Sequence, residues 1–218
     1  MRRFEAIAYD VDGTLVDSFP KHAKAEVLAA SHLGVDTDGS DWSDFAGLNR
    51  QQLWAHIGQK TAVGWEEFDR IADKYFDTII DNPLDPLLPI KGADDILAHA
   101  RRHLQIACQI TNGSRSNLNA INAQFGWSGL FNMTVAFGES GHPKPHPDPY
   151  RSIYRRLGIA PENTIAVEDS LNGIESACKA GVFTVAIATN LEFDFLKRTN
   201  ADLVVLDYKQ LAFWISNF

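Results

Sequence analysis

Phe4-Glu5-Ala6-Ile7-Ala8-Tyr9-Asp10-Val11-Asp12-Gly13-Thr14-Leu15-Val16-Asp17-Ser18 is the stretch that decides the fold. Its first six residues form a short apolar run, too short for a stable helix and suited to a buried strand. The run ends on two carboxylates two residues apart, with a glycine just beyond. Residues i and i+2 of a regular strand share a face, so Asp10 and Asp12 can point into one place. Their repulsion must then be offset by a cation or a bound proton. The carboxyl ends of strands are where open parallel sheets bind ligands.

Working outward, five more runs read as buried strands: 105–110, 133–137, 164–167, 182–187 and 202–205. Helical spacing lies between them. Tyr150, Ile153, Tyr154 and Leu157 precede Gly158; Leu118, Ile121 and Phe125 precede Gly126; Ile174, Ala177 and Cys178 precede Gly181. Each glycine is a C-terminal stop signal. Strands alternating with helices predict an α/β fold, a Rossmann-like three-layer core with a mostly parallel sheet. Residues 18–88 read differently, as helices only, with Trp42, Phe45, Leu53, Trp54, Trp65, Phe68, Ile71, Tyr75 and Phe76 as their apolar positions. Asp81-Asn82-Pro83-Leu84-Asp85-Pro86 breaks that pattern. The predicted organisation is a core of 1–17 and 89–218 with an all-helical cap of 18–88 inserted in it, hinged near 17–19 and 87–89.

Composition narrows the function. The chain has 218 residues, 45% hydrophobic and 22% charged, which is ordinary globular composition. It is long enough to bury a core without disulfides or a structural metal. The net charge is −8, and the basic residues cluster only in short pairs such as Arg2-Arg3, Arg101-Arg102 and Arg155-Arg156, so nucleic acid is disfavoured as a partner. Cys108 and Cys178 form no CxxC and read as small buried apolar groups in a reducing compartment. No apolar run approaches the roughly 20 residues of a membrane span. The N-terminus turns acidic too soon for a signal peptide. The expectation is a cytoplasmic protein with no membrane partner, monomeric or homodimeric.

Three further segments place polar residues at strand ends. Thr111-Asn112-Gly113-Ser114 sets a hydroxyl and an amide before a helix N-terminus, a good place for an anion. Pro143-Lys144-Pro145-His146-Pro147-Asp148-Pro149 holds a lysine between stiffening prolines, ready to pair with a carboxylate or a phosphate. Glu168-Asp169-Ser170-Leu171-Asn172-Gly173-Ile174 adds two more acids, and clustered hard oxygen ligands suit Mg²⁺. Plain structural roles also exist for each: an acidic turn, a helix cap at Ser114, a solvated lysine, a capping box. His99 and His103 have metal-binding spacing on a helix but no third ligand nearby. His142 and His146 share that spacing, yet the prolines between them exclude a helix.

Taken together, the order and strand-end placement of the four segments resemble the haloacid dehalogenase superfamily over nearly the whole chain. The resemblance is to its helical-cap branch, which includes sugar-phosphate phosphatases, phosphoglycolate phosphatases and β-phosphoglucomutase. It implies that Asp10 is the nucleophile, forming an aspartyl-phosphate, and that Asp12 is the general acid/base. It implies Mg²⁺ held by Asp10, the backbone carbonyl of Asp12 and Asp169, with Glu168 acting through water or from behind the ligands. Thr111, the Asn112 N–H and Lys144 would bind phosphoryl oxygens. Family dehalogenases lack an acid at the place of Asp12, and an alcohol leaving group needs a proton where a halide does not. The implied activity is therefore Mg²⁺-dependent hydrolysis of a small phosphorylated metabolite. Substrate contacts expected from the cap and its surroundings are His22, Arg50 in Gly47-Leu48-Asn49-Arg50, Lys74, and Arg115 beside Thr111. Two alternatives stay open: a mutase of the β-phosphoglucomutase type, and a non-catalytic phosphate-binding regulator on the same fold.

Overall fold

A computed structural model describes residues 4–37, 50–80 and 82–217. The chain divides into two compact units, Met1–Asp17 with Leu87–Phe218, and Ser18–Pro86.

The first unit is built on a six-stranded sheet. Its strands are β1 (Ala6–Tyr9), β4 (Ile106–Ile110), β5 (Met133–Val135), β6 (Thr164–Glu168), β7 (Phe183–Ile187) and β8 (Leu203–Val205). All pair in parallel, in the order β5-β4-β1-β6-β7-β8. The chain runs outward from β1 to β5, then returns to β6 and runs out the other way. β1 is thus the switch point, beside which α/β sheets open a ligand crevice. All six predicted strands are present, each with ends shifted by no more than two residues.

Every residue of β1 is fully buried, as expected for a strand with helices over both faces. The covering helices are α4 (Ala93–His103), α5 (Arg115–Gln124), α6 (Asp148–Leu157), α7 (Leu171–Ala180), a short α8 (Phe193–Leu196) and α9 (Tyr208–Ile215). Tyr150 and Ile153 of α6 and Ala177 and Ala180 of α7 pack with Ala6, Ala8, Cys108 and Ile110 of the sheet. Gly158 and Gly181 end α6 and α7 in left-handed conformations, at φ 71° and 81°. The predicted α6 stripe is one residue too wide, since Tyr154 is exposed. Cys108 is fully buried, whereas Cys178 is only partly so.

A short antiparallel ladder, like α8 and α9, has no counterpart in the sequence analysis. β2 (Val16–Asp17) pairs antiparallel with β3 (Leu88–Pro89). Two residues carry no readable periodicity, so this ladder leaves no signal in the sequence.

The second unit is helical: α1 (Phe19–His32), α2 (Arg50–Ile57) and α3 (Trp65–Ile79). Phe68, Ile71, Ala72 and Phe76 recur at helical spacing along α3 and are buried. Phe68, Ile71 and Ala72 pack with Ala29 and Ala30 of α1 and Leu53 and Trp54 of α2. The Trp54 and Phe68 rings stack at 4.5 Å. Lys21 is buried, and its ammonium donates to the carbonyls of Ile79, at 2.8 Å, and Asp85, neutralising the C-terminal end of α3. Trp42, Phe45, Gly47, Leu48, Asn49 and Asp81 lie outside the described residues. No helix among the described residues is long and apolar enough to cross a membrane.

Candidate active site

Four segments of the first unit meet at the carboxyl ends of β1, β4 and β6. β1 ends at Tyr9, so Asp10 and Asp12 lie just past the regular strand rather than on its face. Gly13 turns the chain there with φ 77°, and its N–H donates to the Val16 carbonyl at 2.8 Å. The turn is held from outside. Thr189 Oγ1 donates to the Gly13 carbonyl at 2.5 Å, and Tyr208 of α9 donates to the Thr14 carbonyl at 2.7 Å.

Lys144 is the hub. Its ammonium donates to Asp10 Oδ1, Glu168 Oε1 and the Ile110 carbonyl, each at 2.6 Å. The side chain is only 4% exposed. Its backbone, which lies between two prolines, has a second restraint. The Asn112 side chain accepts from the Lys144 N–H and donates to the Lys144 carbonyl, both at 3.0 Å. Asn112 thus clips the loop after β5 to the end of β4. Thr111 Oγ1 donates to Asp12 Oδ2 at 3.1 Å and accepts from the Gly113 N–H at 2.8 Å. Ser114 caps α5 by accepting from the Asn117 N–H, and Ser170 caps α7 by accepting from the Gly173 N–H. The capping roles and the strand-end site therefore coexist.

Glu168 is fully buried, with Oε1 shared between Lys144 and the Tyr150 hydroxyl, which donates at 2.5 Å. Asp169 Oδ1 accepts from Thr14 Oγ1 at 2.9 Å. Glu168 Oε2 and Asp169 Oδ2 are buried without a hydrogen-bond donor among the described residues. Carboxylate oxygens in that state are costly unless a cation meets them. Ligand oxygens of Asp10, Glu168 and Asp169 lie within 4.8 Å of one another. Asp10, Asp12, Glu168 and Asp169 set four carboxylates against the one ammonium of Lys144, so three negative charges are uncompensated when all ionise. An all-oxygen, net-negative, buried donor set fits a hard divalent cation.

Protonation follows from the same crowding. Burial pushes Asp10 well above the usual carboxylate range; Lys144 opposes that, while Glu168, Asp169 and Asp12 add to it. Burial, then Glu168, raises Asp169 to about 7. Burial would lower the Lys144 ammonium, but Asp10 and Glu168 more than reverse this and hold it above the ordinary lysine value.

The structure brings Asp10, Asp12, Thr111, Lys144, Glu168 and Asp169 together and disposes the other candidates differently. Glu168 is fully buried beside Asp10 and Asp169. Arg115 does not offer an open guanidinium, since it bonds Glu139 through Nε at 2.8 Å and Thr134 Oγ1 at 2.8 Å. Arg50 is engaged inside the helical unit by Glu26 at 3.1 Å, Asp69 at 2.9 Å and Asp73 at 2.5 Å. His22 stacks on Phe76 at 4.0 Å and approaches Arg50 at 3.3 Å. Lys74 is exposed on α3. Tyr150, Thr14, Thr189 and Tyr208 were missed as contributors. The sequence shows Tyr150 only as an apolar position of α6, and nothing there flags its hydroxyl.

Residues 4–181 match the family described as haloacid dehalogenase-like hydrolase. The chain belongs to that family. It is 31% identical over 189 residues to Protein CbbY of Cereibacter sphaeroides, covering 82% of this chain and 81% of that protein. It is 26% identical over 189 residues to the fructose-1-phosphate phosphatase YqaB of Escherichia coli K12, covering 85% of this chain and 97% of that one. A crystal structure of a CbbY mutant from Rhodobacter sphaeroides in complex with xylulose-(1,5)bisphosphate superposes with a TM-score of 0.73 at 25% identity, covering 95% and 96% of the two chains. The family member is thus a hydrolase on an α/β fold.

Proposed function

We propose that this hydrolase is a Mg²⁺-dependent phosphatase acting on a small phosphorylated metabolite, a sugar phosphate or a related ester. The observation that carries the proposal is Lys144 bridging Asp10 and Glu168 beside the donorless oxygens of Glu168 and Asp169. The names of two relatives, a fructose-1-phosphate phosphatase and a protein crystallised with a sugar bisphosphate, support the substrate class.

Asp10 attacks the phosphorus in line; its oxygen forms a bond to phosphorus and the ester P–O bond breaks. Asp12, oriented by Thr111, gives a proton to the departing alkoxide. Asp12 then takes a proton from water, which attacks the phosphoaspartate, releases phosphate and restores Asp10. Lys144, Thr111 and the Asn112 N–H bind the oxygens of the transferring group. Asp10, Asp169 and the Asp12 carbonyl would hold Mg²⁺, with Glu168 beside them, and the ion supplies charge neutralisation between the nucleophile and an anionic ester. Burial works against ionised Asp10, so Lys144 is what this chain contributes to keep the nucleophile charged. The helical unit is taken as the substrate-selecting cap, and the two free thiols fit a cytoplasmic setting. Because acids already surround Arg50, the phosphatase is favoured over a mutase that would use that arginine on its substrate.

The test is phosphate release from a panel of sugar phosphates, polyol phosphates, nucleotides and phosphoglycolate, with Mg²⁺ and with EDTA. Metal-dependent release from a sugar or polyol phosphate is expected. Conversion of β-glucose 1-phosphate to the 6-phosphate without release would support the mutase, and no turnover of any ester would support the silent regulator.

A further inference from the structure

Outside the carboxylate site, the loop that carries Lys144 brings together a second set of donors of different chemistry. His142, His146 and Asp148 place ligand atoms within 4.8 Å of one another. The prolines at 143, 145 and 147 do prevent a helix, but the loop they shape folds the two imidazoles against each other, with ring centroids 4.4 Å apart. Both imidazoles face one oxygen: His142 Nδ1 lies 3.1 Å and His146 Nδ1 3.2 Å from Asp148 Oδ2. Neighbouring ligands on a tetrahedral ion with bonds near 2.05 Å are about 3.3 Å apart, so an ion could replace the proton between each imidazole and the carboxylate with little movement.

The surroundings hold the carboxylate in place. Arg155 donates to the other oxygen, Asp148 Oδ1, at 3.2 Å, and so keeps Oδ2 turned to the imidazoles. The His142 main-chain N–H reaches Oδ2 at 3.4 Å; the Asp148 main-chain N–H donates to His146 Nδ1 at 3.3 Å, which leaves that nitrogen unprotonated and its lone pair turned to Asp148, a bond that an ion would replace. A Cβ on Gly141 would fall 2.8 Å from Oδ2, so the glycine leaves that oxygen its space. Ser176 of α7 anchors the His146 carbonyl at 2.6 Å. The two imidazoles remain accessible, with His142 73% and His146 44% exposed, while Asp148 is 12% exposed.

We propose that His142, His146 and Asp148 form a second cation site, selective for a borderline divalent ion such as Zn²⁺, Co²⁺ or Ni²⁺. Two imidazoles and one carboxylate with an open fourth position suit such ions, whereas Mg²⁺ favours the all-oxygen set. The positive charge of Arg155 works against any cation there, which leaves the imidazoles to supply the affinity. Since His142 and His146 flank Lys144, a bound ion ties the two ends of that loop together.

Zn²⁺ titration of the full chain held in excess Mg²⁺, followed by imidazole NMR signals and calorimetry, tests the site. Stoichiometric Zn²⁺ is expected to shift the His142 and His146 resonances and to leave His103 unchanged. The His142→Ala/His146→Ala double substitution, at accessible positions, should weaken this binding at least about tenfold. Zn²⁺ that shifts neither histidine, or that binds the double variant with unchanged affinity, overturns the proposal. Neither result depends on turnover, so the outcome is separate from the phosphatase assignment.

Discussion

Each unit of the molecule contains one strong cation among three or more acids, and the two clusters do opposite things. In the helical unit Arg50 meets Glu26, Asp69 and Asp73, whose side chains are 19%, 38% and 64% exposed. Water solvates the excess negative charge there. In the α/β unit Lys144 meets Asp10 and Glu168 with almost no exposure, and Asp169 and Asp12 stand near. Glu168 Oε2 and Asp169 Oδ2 are shut away from solvent, and no donor among the described residues meets them. A charge cluster therefore becomes a cation site through burial and missing donors, not through its count of acids. The sequence shows the count and hides the burial, which is why Arg50 and Lys144 look alike as candidate anion binders.

The largest expected effect is at the nucleophile. Asp10→Asn should lower phosphate release by more than about 10³-fold while circular dichroism stays unchanged. A variant with near-normal turnover would remove Asp10 from its role and the α/β cluster from its place in the contrast.

Stability should separate the two cations next. Lys144→Ala leaves two carboxylates buried without their ammonium, and loss of one partner of a buried pair costs about 3–5 kcal/mol. Arg50→Ala breaks partly exposed pairs worth at most about 1 kcal/mol each. Urea unfolding measures both. Equal losses would show that burial is not what distinguishes the clusters.

A packing test follows. A Cβ on Gly173 would lie 1.8 Å from Glu168 Oε2, far inside contact distance. Gly173→Ala should displace the Glu168 carboxylate, cut turnover at least about tenfold and raise the concentration of Mg²⁺ needed, as seen in a metal titration of activity. Unchanged metal dependence would place Glu168 outside the ion's surroundings.

The subtlest effect is pH dependence without metal. Asp169 is raised in the folded state to about 7, from an ordinary value near 3.8. The protonated carboxyl is favoured by folding, so its contribution is fully present below about pH 4 and is lost as pH rises through about 7. The melting temperature of EDTA-treated protein should fall across that range, and Mg²⁺ should protect more strongly at its upper end. Flat melting behaviour from pH 5 to 8 would show that Asp169 is not the strained acid.

Much of the α/β unit was legible because strand, helix and strand-end polarity repeat there. Ala6–Tyr9 and Thr164–Glu168 each run apolar and then acidic, and that junction is visible in one dimension. The pairing of Val16–Asp17 with Leu88–Pro89 was not legible, because two residues show no period and their partners lie some seventy positions away. Nor was the use of Tyr150, since one tyrosine fills an apolar position and donates a proton to Glu168 at the same time. His142 and His146 were set aside on helical grounds, but proline-rich chain can bring side chains together without a helix.

The amide of Asn112 grips the main chain of residue 144 and ignores its side chain. The path of the polypeptide and the charge it presents at that point are thus under separate control. A splint of this kind lets the ammonium be exchanged for another head group while the trace around it is kept. Substitutions there should then alter the charge and its hydrogen bonds while the loop keeps its course.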